Sequence, residues 1–333
     1  MQSPNVSIII PAHNAANTIK RCLDSVINNT LANIEIICID DASTDNTVDI
    51  IASYKDSRIR LIQIKYNSGV SVARNIGINK AHGEYLGFID ADDTVDSDFF
   101  EKLYKNAKQT YSDIVKAELT LVFADNSSHK ITDLQNTVRE NKYKFVRNFT
   151  SAIYNRKMLN TYNIRFPENL YLTEDTIFLI NAVHHANKVS VIDNTTYYYF
   201  RTPDSSDGSK YSHDKVVMAI TAYKTLLNQI NEWVDLDDDK YDVISAYVGQ
   251  LALYPCEKAS NVNDFVLLAD GIIWVYKHIK RPVVLHDVFG KKIINAIQHN
   301  DIKSIIYQIA PKRTVRFLGI PLFKKTYNLQ DNK

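Results

Sequence analysis

The chain has 333 residues, 45% of them hydrophobic, with 39 basic and 38 acidic side chains, so its formal net charge is +1. That length can bury one large core or two, and the balance of charge excludes a general polyanion or nucleic-acid binder. Three cysteines, Cys22, Cys38 and Cys256, are too scattered for a metal site or a disulfide framework, and read as buried thiols of a reducing compartment. The opening Met-Gln-Ser-Pro-Asn has no basic segment and the apolar run 6–10 stops at Pro11, which is not the pattern of a signal peptide. No uninterrupted apolar stretch approaches the roughly 18 residues of a membrane span. The expected location is the cytoplasm.

The first hundred residues alternate strand and helix. Residues 6–11 form a short apolar run of the buried-strand type, and Asn17 is placed to cap a helix whose Ile19, Cys22, Leu23, Val26 and Ile27 fall at helical spacing. A second buried strand, 34–39, ends at Asp40 and Asp41, and Asp45 starts a helix through Val48, Ile51 and Ala52. A third strand covers 59–64. Asn67-Ser68-Gly69 then leads into a helix with Val72 and Ile76, which Gly83 ends, and 85–89 is the fourth strand. Such alternation implies a parallel sheet covered on both faces, with ligands bound beyond the carboxyl ends of its strands. Residues 11–14, 40–41 and 90–93 all fall at those ends.

Farther along, the pattern predicts a helix at 99–110, a strand at 113–123, a polar excursion at 125–130 and a helix at 170–185 started by Thr173-Glu174-Asp175. Two strands, 189–192 and 197–200, precede a Ser-, Asp- and Gly-containing loop, 203–210, that marks a boundary. Segments 215–233, 241–254, 262–280 and 288–308 read as helices. The expected division is an α/β domain over 1–205 and a mainly helical region over 206–333.

The sharpest chemical signal is Glu-Tyr-Leu-Gly-Phe-Ile-Asp-Ala-Asp-Asp at 84–93. Strands disfavour aspartate, and like charges this close repel, so the cluster costs stability unless a cation or ligand compensates it. In extended chain Asp90 and Asp92 share one face while Asp93 points elsewhere. Two oxygen ligands with the rest of the shell open suit a hard divalent ion that also holds phosphate. The plainer reading is a solvated strand end that caps the next helix.

Five segments occur in order: Val-Ser-Ile-Ile-Ile-Pro-Ala-His-Asn (6–14), Ile-Asp-Asp-Ala-Ser-Thr-Asp (39–45), Gly-Val-Ser-Val-Ala-Arg-Asn (69–75), the carboxylate strand end (83–93) and Thr-Glu-Asp-Thr (173–176). Together they resemble family 2 glycosyltransferases, inverting enzymes with the GT-A fold. The resemblance covers roughly 5–205 and does not extend over the C-terminal helices. It implies that Asp41 accepts the N3–H of uracil, with Pro11, Ala12 and Asn14 lining the base pocket largely through backbone. It implies that Asp90 and Ala91 face the donor and that Asp92 ligates Mg²⁺ or Mn²⁺ bridging the diphosphate of a UDP-sugar. Arg74 is expected near the nucleotide, paired either with the aspartates or with the diphosphate, or as a buried ion pair that holds the fold. Asn75 and Gly77 are expected to be structural.

The same resemblance makes Asp175 the base that deprotonates the acceptor hydroxyl, with Glu174 orienting acceptor or loop. Capping of the helix by Thr173 and the two acids is compatible with that role. Tyr197-Tyr198-Tyr199-Phe200-Arg201 looks like a family segment whose arginine closes over the diphosphate, with 203–210 as a lid. The tyrosines themselves read as core, and His213 as a surface histidine.

Between 302 and 325 stand Lys303, Lys312, Arg313, Arg316, Lys324 and Lys325 with no acidic residue, interleaved with apolar side chains. This composition suits either an anionic membrane surface, at the cytoplasmic face of the inner membrane, or packing against the catalytic domain. Some cell-surface polysaccharide transferases end similarly, which also fits a lipid-linked or oligosaccharide acceptor. The expected activity is a metal-dependent transfer from a UDP-sugar, with glucose as first choice, to a hydroxyl of a bacterial surface glycan such as the lipopolysaccharide outer core, leaving a β-linkage. The alternatives are UDP-GlcNAc or UDP-Gal on a capsule or O-antigen repeat, and a silent nucleotide-sugar-binding scaffold. A nucleotidyltransferase is disfavoured, because 11–16 offers neither the glycine nor the lysine of a phosphate loop.

Overall fold

The computed structural model describes residues 3–131, 148–201, 211–233, 255, 259 and 262–278. The chain divides into two compact units, Met1–Gly208 and Ser209–Lys333. Expected helices 241–254 and 288–308, the loop 203–210 and the basic tail 303–325 lie outside the described residues.

In the first unit, β1 (Val6–Ala12) lies between β2 (Ile34–Asp41) and β4 (Tyr85–Phe88), and β3 (Ile59–Ile64) adds to β2, all in parallel. Every residue of β1 is buried, which explains an apolar run without alternation: helices cover both faces. On one face α1 (Ile19–Ile27) inserts Cys22, Leu23 and Val26. On the other, α3 (Val70–Lys80) approaches so closely that a β-carbon at Gly77 would collide with the Ile9 side chain. The short α2 (Thr47–Ser53) joins β2 to β3.

Beyond β4 the sheet becomes mixed. Its order is β3-β2-β1-β4-β8-β6-β9-β5, with β8 (Ala152–Asn155) antiparallel to both β4 and β6 (Ile114–Phe123). The expected parallel pairing therefore holds for the first four strands and again between β6 and the long strand that follows, while the pairs made by β8 are antiparallel. Residues 189–192 and 197–200 belong to one long strand, β9 (Val189–Arg201), which pairs with β6 across a register shift between Lys116 and Glu118. The exposed Asp193 and Asn194 interrupt its hydrophobicity without breaking its backbone. The excursion at 125–130 holds the turn of a hairpin and most of its second strand, β7 (Ser128–Ile131), which pairs with β6. The two-residue β5 (Thr94–Val95) pairs with Tyr198 and Tyr197 of β9, and α4 (Phe99–Thr110) follows it.

Helix boundaries differ from the expectation in small, explicable ways. The N-cap of α1 is Thr18 rather than Asn17, with no side-chain cap bond. Asp45 does not begin α2 but takes the N–H and hydroxyl of Thr47 at its first turn. The third helix stops at Lys80, and Gly83 serves instead where the next turn crosses β1, since a β-carbon there would lie 2.5 Å from the Ser7 nitrogen. Two further helices, α5 (Arg156–Thr161) and α6 (Glu174–His185), complete this unit.

The second unit contains α7 (His213–Glu232) and α8 (Val262–His278). Gly271 of α8 lets the helices approach, with Tyr223 and Ile220 of α7 lying 3.1–3.2 Å from where its β-carbon would be. His213 is exposed as expected, yet it is partnered: Nδ1 lies 2.6 Å from Oδ1 of the buried Asp264. No helix among the described residues is long and apolar enough to cross a membrane.

Candidate active site

The parallel strands bring the carboxyl ends of β1, β2 and β4 to one edge. Ile9 of β1 accepts from Ile89, so Pro11, two residues on, turns its missing N–H toward the side where β4 has already ended. Pro11 and Ala12 are buried, and Ala12 pairs with Asp40. Asp41 is 4% exposed, and its two oxygens accept from the backbone N–H groups of Ser68 and Gly69, each at 2.7 Å. Gly69 has φ of 90°, a left-handed conformation suited to glycine. Asp40 points elsewhere: Oδ2 accepts from Ser43, while Oδ1 is buried without a partner among the described residues.

His13 ties this edge together. Its Nδ1 lies 2.6 Å from the Asp41 carbonyl, which can only accept, so Nδ1 carries the proton. Nε2 then accepts from the side-chain amides of Asn14 and Asn67 at 3.2 and 3.1 Å. Asn14, at φ 49°, accepts from the Thr44 N–H at 2.8 Å and donates its own N–H to Ser43 Oγ at 2.9 Å.

The carboxylate cluster is a turn. The Asp93 N–H donates to the Asp90 carbonyl at 3.0 Å, and β4 has ended at Phe88, so Asp90 and Asp92 do not lie on one face of extended chain as their spacing suggested. Asp92 is exposed. Ala91 packs back onto the core. The turn is clamped from α1, where Arg21 donates to the Asp92 carbonyl at 2.5 Å and Cys22 Sγ to that of Asp90 at 3.6 Å. The Arg21 guanidinium also lies 3.6 Å over the Phe200 ring.

Asp93 does not cap the following segment but is fully buried. It accepts the Tyr197 hydroxyl at 2.6 Å and the Phe200 N–H at 2.9 Å. Burial, reinforced by the charges of Asp90 and Asp92, pushes its pKa up to about 8. The same two causes, desolvation and then Asp90, raise Asp92. Arg201, the last residue of β9, stands next to Phe200 and pairs in register with Phe123.

Arg74 connects this turn to the acids of α6. Its side chain is 5% exposed, with Nη2 2.8 Å from Asp90 Oδ1 and Nη1 3.2 Å from Glu174 Oε1. The guanidinium carbon lies 4.5 Å from the Phe149 ring centre and 5.1 Å from that of Phe166. Burial alone would lower its pKa, but Asp90 and Glu174 outweigh that and raise it. Glu174 is pushed up to about 7 by burial and by the charge of Asp175. Asp175, half-buried beside it, is raised chiefly by desolvation, against the pull of Arg74. Its Oδ1 accepts the Thr176 N–H at 2.6 Å. Thr173 makes no side-chain cap and is held at φ 69°, a costly conformation for a β-branched residue.

Among the described residues no group of three His, Cys, Asp or Glu side chains is placed to hold a metal. The exposed Asp92 carboxylate, two residues from Asp90, supplies hard oxygen donors of the kind a divalent ion takes.

Residues 7–163 match the family model described as glycosyl transferase family 2. EpsJ of Bacillus subtilis, named as a glycosyltransferase, is 33% identical over 216 residues, which are 61% of this chain and 62% of EpsJ. EpsH of the same organism, likewise named, is 30% identical over 239 residues, 68% of this chain and 69% of EpsH. The chain belongs to glycosyl transferase family 2. The TarS structure from Staphylococcus aureus, solved over residues 1–349 with UDP-GlcNAc, matches this family 2 chain with a TM-score of 0.73. It does so at 20% identity, covering 92% of this chain and 90% of that one, and the shared architecture is the GT-A fold.

Within the transferase, the structure gathers Asp90, Arg74, Glu174 and Asp175 into one charged cluster, and Pro11, Ala12, Asn14 and Asp41 at the neighbouring strand ends. Sequence reading missed His13, Arg21 and Tyr197. A ring at a strand end beside a paired aspartate was a usable signal for His13. Arg21 sits on the polar side of an amphipathic helix and gave none. The alternating aromatics correctly marked Tyr197 as core, but its hydroxyl is also the link between Asp93 and the Asp90 N–H.

Proposed function

We propose that this protein is an inverting transferase that moves a sugar from a UDP-sugar to a hydroxyl of a bacterial surface glycan. The observation that carries the reading is Arg74, whose two terminal nitrogens hold Asp90 of the strand-end turn and Glu174 beside Asp175. A leaving-group site and a basic carboxylate thereby flank a single buried cation.

In this mechanism Asp175 accepts the proton of the acceptor hydroxyl as the oxygen attacks the anomeric carbon. The carbon–oxygen bond to the diphosphate breaks on the opposite side, and its electron pair leaves with UDP. One displacement inverts the centre, so an α-linked donor gives a β-glycoside. Desolvation of Asp175 makes its carboxylate a better base than one in water. A divalent cation on Asp92, with Asp90 alongside, would stabilise the charge developing on the diphosphate. Asp41 receives the uracil N3–H through a lone pair left over after Ser68 and Gly69, Pro11, Ala12 and Asn14 border the base, and Arg201 approaches the diphosphate from β9.

TarS is named a poly(ribitol-phosphate) β-N-acetylglucosaminyltransferase and is 28% identical over 200 residues, which supports a cell-surface acceptor. We take glucose as the first donor to try and the lipopolysaccharide outer core as the first acceptor, with GlcNAc, galactose and capsule-type repeats beside them. The tail 303–325 would hold the enzyme at an anionic membrane surface on the cytoplasmic side. The test is UDP binding with and without Mn²⁺ or Mg²⁺, in the parent and in Asp92→Ala. Metal should tighten binding to the parent and do little for the variant, whereas equal metal dependence would remove Asp92 from the site.

A further inference from the structure

The loop that delivers the acids of α6 is suspended from one face of α3. Ser71, Arg74, Asn75 and Asn79 follow one another at helical spacing, and each meets the segment 165–174. Ser71 Oγ lies 3.5 Å from the Leu170 carbonyl, Arg74 holds Glu174, and Asn79 Oδ1 accepts from Arg165 at 3.0–3.2 Å.

Asn75 makes the most specific of these contacts. Its Oδ1 accepts the Phe166 N–H at 2.9 Å, and its Nδ2 donates to the Phe166 carbonyl at 2.8 Å and to Glu168 Oε1 at 2.9 Å. The amide thus pairs both backbone groups of one residue, as a neighbouring strand would, although Phe166 lies in no strand. The Asn75 side of this contact is 5% exposed. Phe166 in turn stacks on Phe178 of α6, ring centres 4.0 Å apart and planes 4° from parallel. Phe178 is three residues beyond Asp175, one helical turn away.

We infer that Asn75 is a positioning residue for Asp175, acting through the Phe166 backbone and the Phe166–Phe178 stack. This rests on the reading of Asp175 as the base. The segment before α6 contains the strained Thr173 and lies in no strand; rings of Phe88 and Phe149 pack against Phe166, and the hydrogen bonds that fix its backbone at Phe166 come from Asn75 of α3. A carboxylate that must meet a hydroxyl within hydrogen-bond distance tolerates little displacement, and about 1 Å costs on the order of 100-fold in rate.

The test uses Asn75→Asp, nearly isosteric, which keeps the acceptor for the Phe166 N–H, loses the donor and sets a charge against Glu168. The full chain is assayed for UDP release from UDP-glucose, UDP-galactose or UDP-GlcNAc, whichever the parent turns over fastest, and for UDP affinity by calorimetry. The expected result is a fall in kcat of roughly 10–100-fold with UDP affinity within about twofold of the parent. Adding Glu168→Gln restores a donor facing the new carboxylate and should recover part of the loss. In the Asp175→Asn background the substitution at 75 should cost nothing further. Parent-like kcat in a folded Asn75→Asp protein, an equal loss of kcat and UDP affinity, or an undiminished loss in the Asp175→Asn background would overturn the inference. Failure of the base assignment is visible separately, as full turnover in Asp175→Asn alone.

Discussion

The two sides of the candidate site are built in different ways. The donor side consists of strand ends: sheet register fixes Pro11 and Asp41 on β1 and β2, and the turn that follows β4 closes on itself through the Asp93 N–H and the Asp90 carbonyl, with Arg21 and Tyr197 clamping it from outside. The acceptor side has no such frame. Asp175 opens a helix whose preceding loop is attached by side chains reaching back 90 to 100 residues in sequence, from Arg74 and Asn75. A site whose halves have separate supports can lose one without the other, and substitutions should separate them.

The largest effect is expected where the halves meet. Arg74→Ala leaves Asp90 and Glu174 crowded beside Asp93 and Asp175 without their buried counter-ion. The loss should be about 3–5 kcal/mol of stability, read as a lower midpoint in urea, together with loss of turnover. A variant as stable as the parent would show that the bridge joins nothing.

Next in size is a pH effect centred on the donor side. Asp93, ordinarily near 3.8, is raised to about 8 in the folded chain. The folded state therefore binds a proton that the unfolded state has released between those values, and stability falls as pH rises through that window. Without metal, the urea midpoint should drop from pH 5 to pH 8, and Asp93→Asn should flatten the drop. Glu174, raised to about 7, adds a parallel decline from the acceptor side, so a residual slope should persist in Asp93→Asn. No change of slope in that variant would contradict the burial argument.

The smallest contrast lies within α1. Lys20 pairs with Asp24 four residues on, at the surface, so Lys20→Ala should cost about 0.3–0.5 kcal/mol and leave metal-dependent UDP binding alone. Its neighbour Arg21 clamps the Asp92 carbonyl and stacks on Phe200, so Arg21→Ala should weaken that binding several-fold. Equal behaviour of the two variants would remove the clamp from the account.

The same contrast explains what could be read from sequence. The donor side was legible because strand ends announce themselves: largely apolar runs of five or six residues stop at polar residues, and period and terminator lie in one short window. The order of segments then identified the family, and with it the GT-A sheet. The mixed half was not legible, since nothing within β6, β8 or β9 states which neighbour it will pair with, and the single strand Val189–Arg201 was hidden by the polar Asp193 and Asn194. The turn at 90–93 was misjudged because alternation was extended past the last paired residue. The partners of Asn75, expected to be structural, were hidden for a related reason: Phe166 and Glu168 are more than 90 residues away, and no local pattern encodes that contact.

The central claim is that Asp175 acts as base against a sugar whose diphosphate is held on the other side of Arg74. The direct measurement is UDP release across a panel of UDP-sugars with Mn²⁺, for the parent and for Asp175→Asn, alongside UDP affinity for both. The account requires release from at least one sugar by the parent and a loss on the order of 100- to 10,000-fold in the variant at unchanged UDP affinity. Comparable release by both proteins would contradict it.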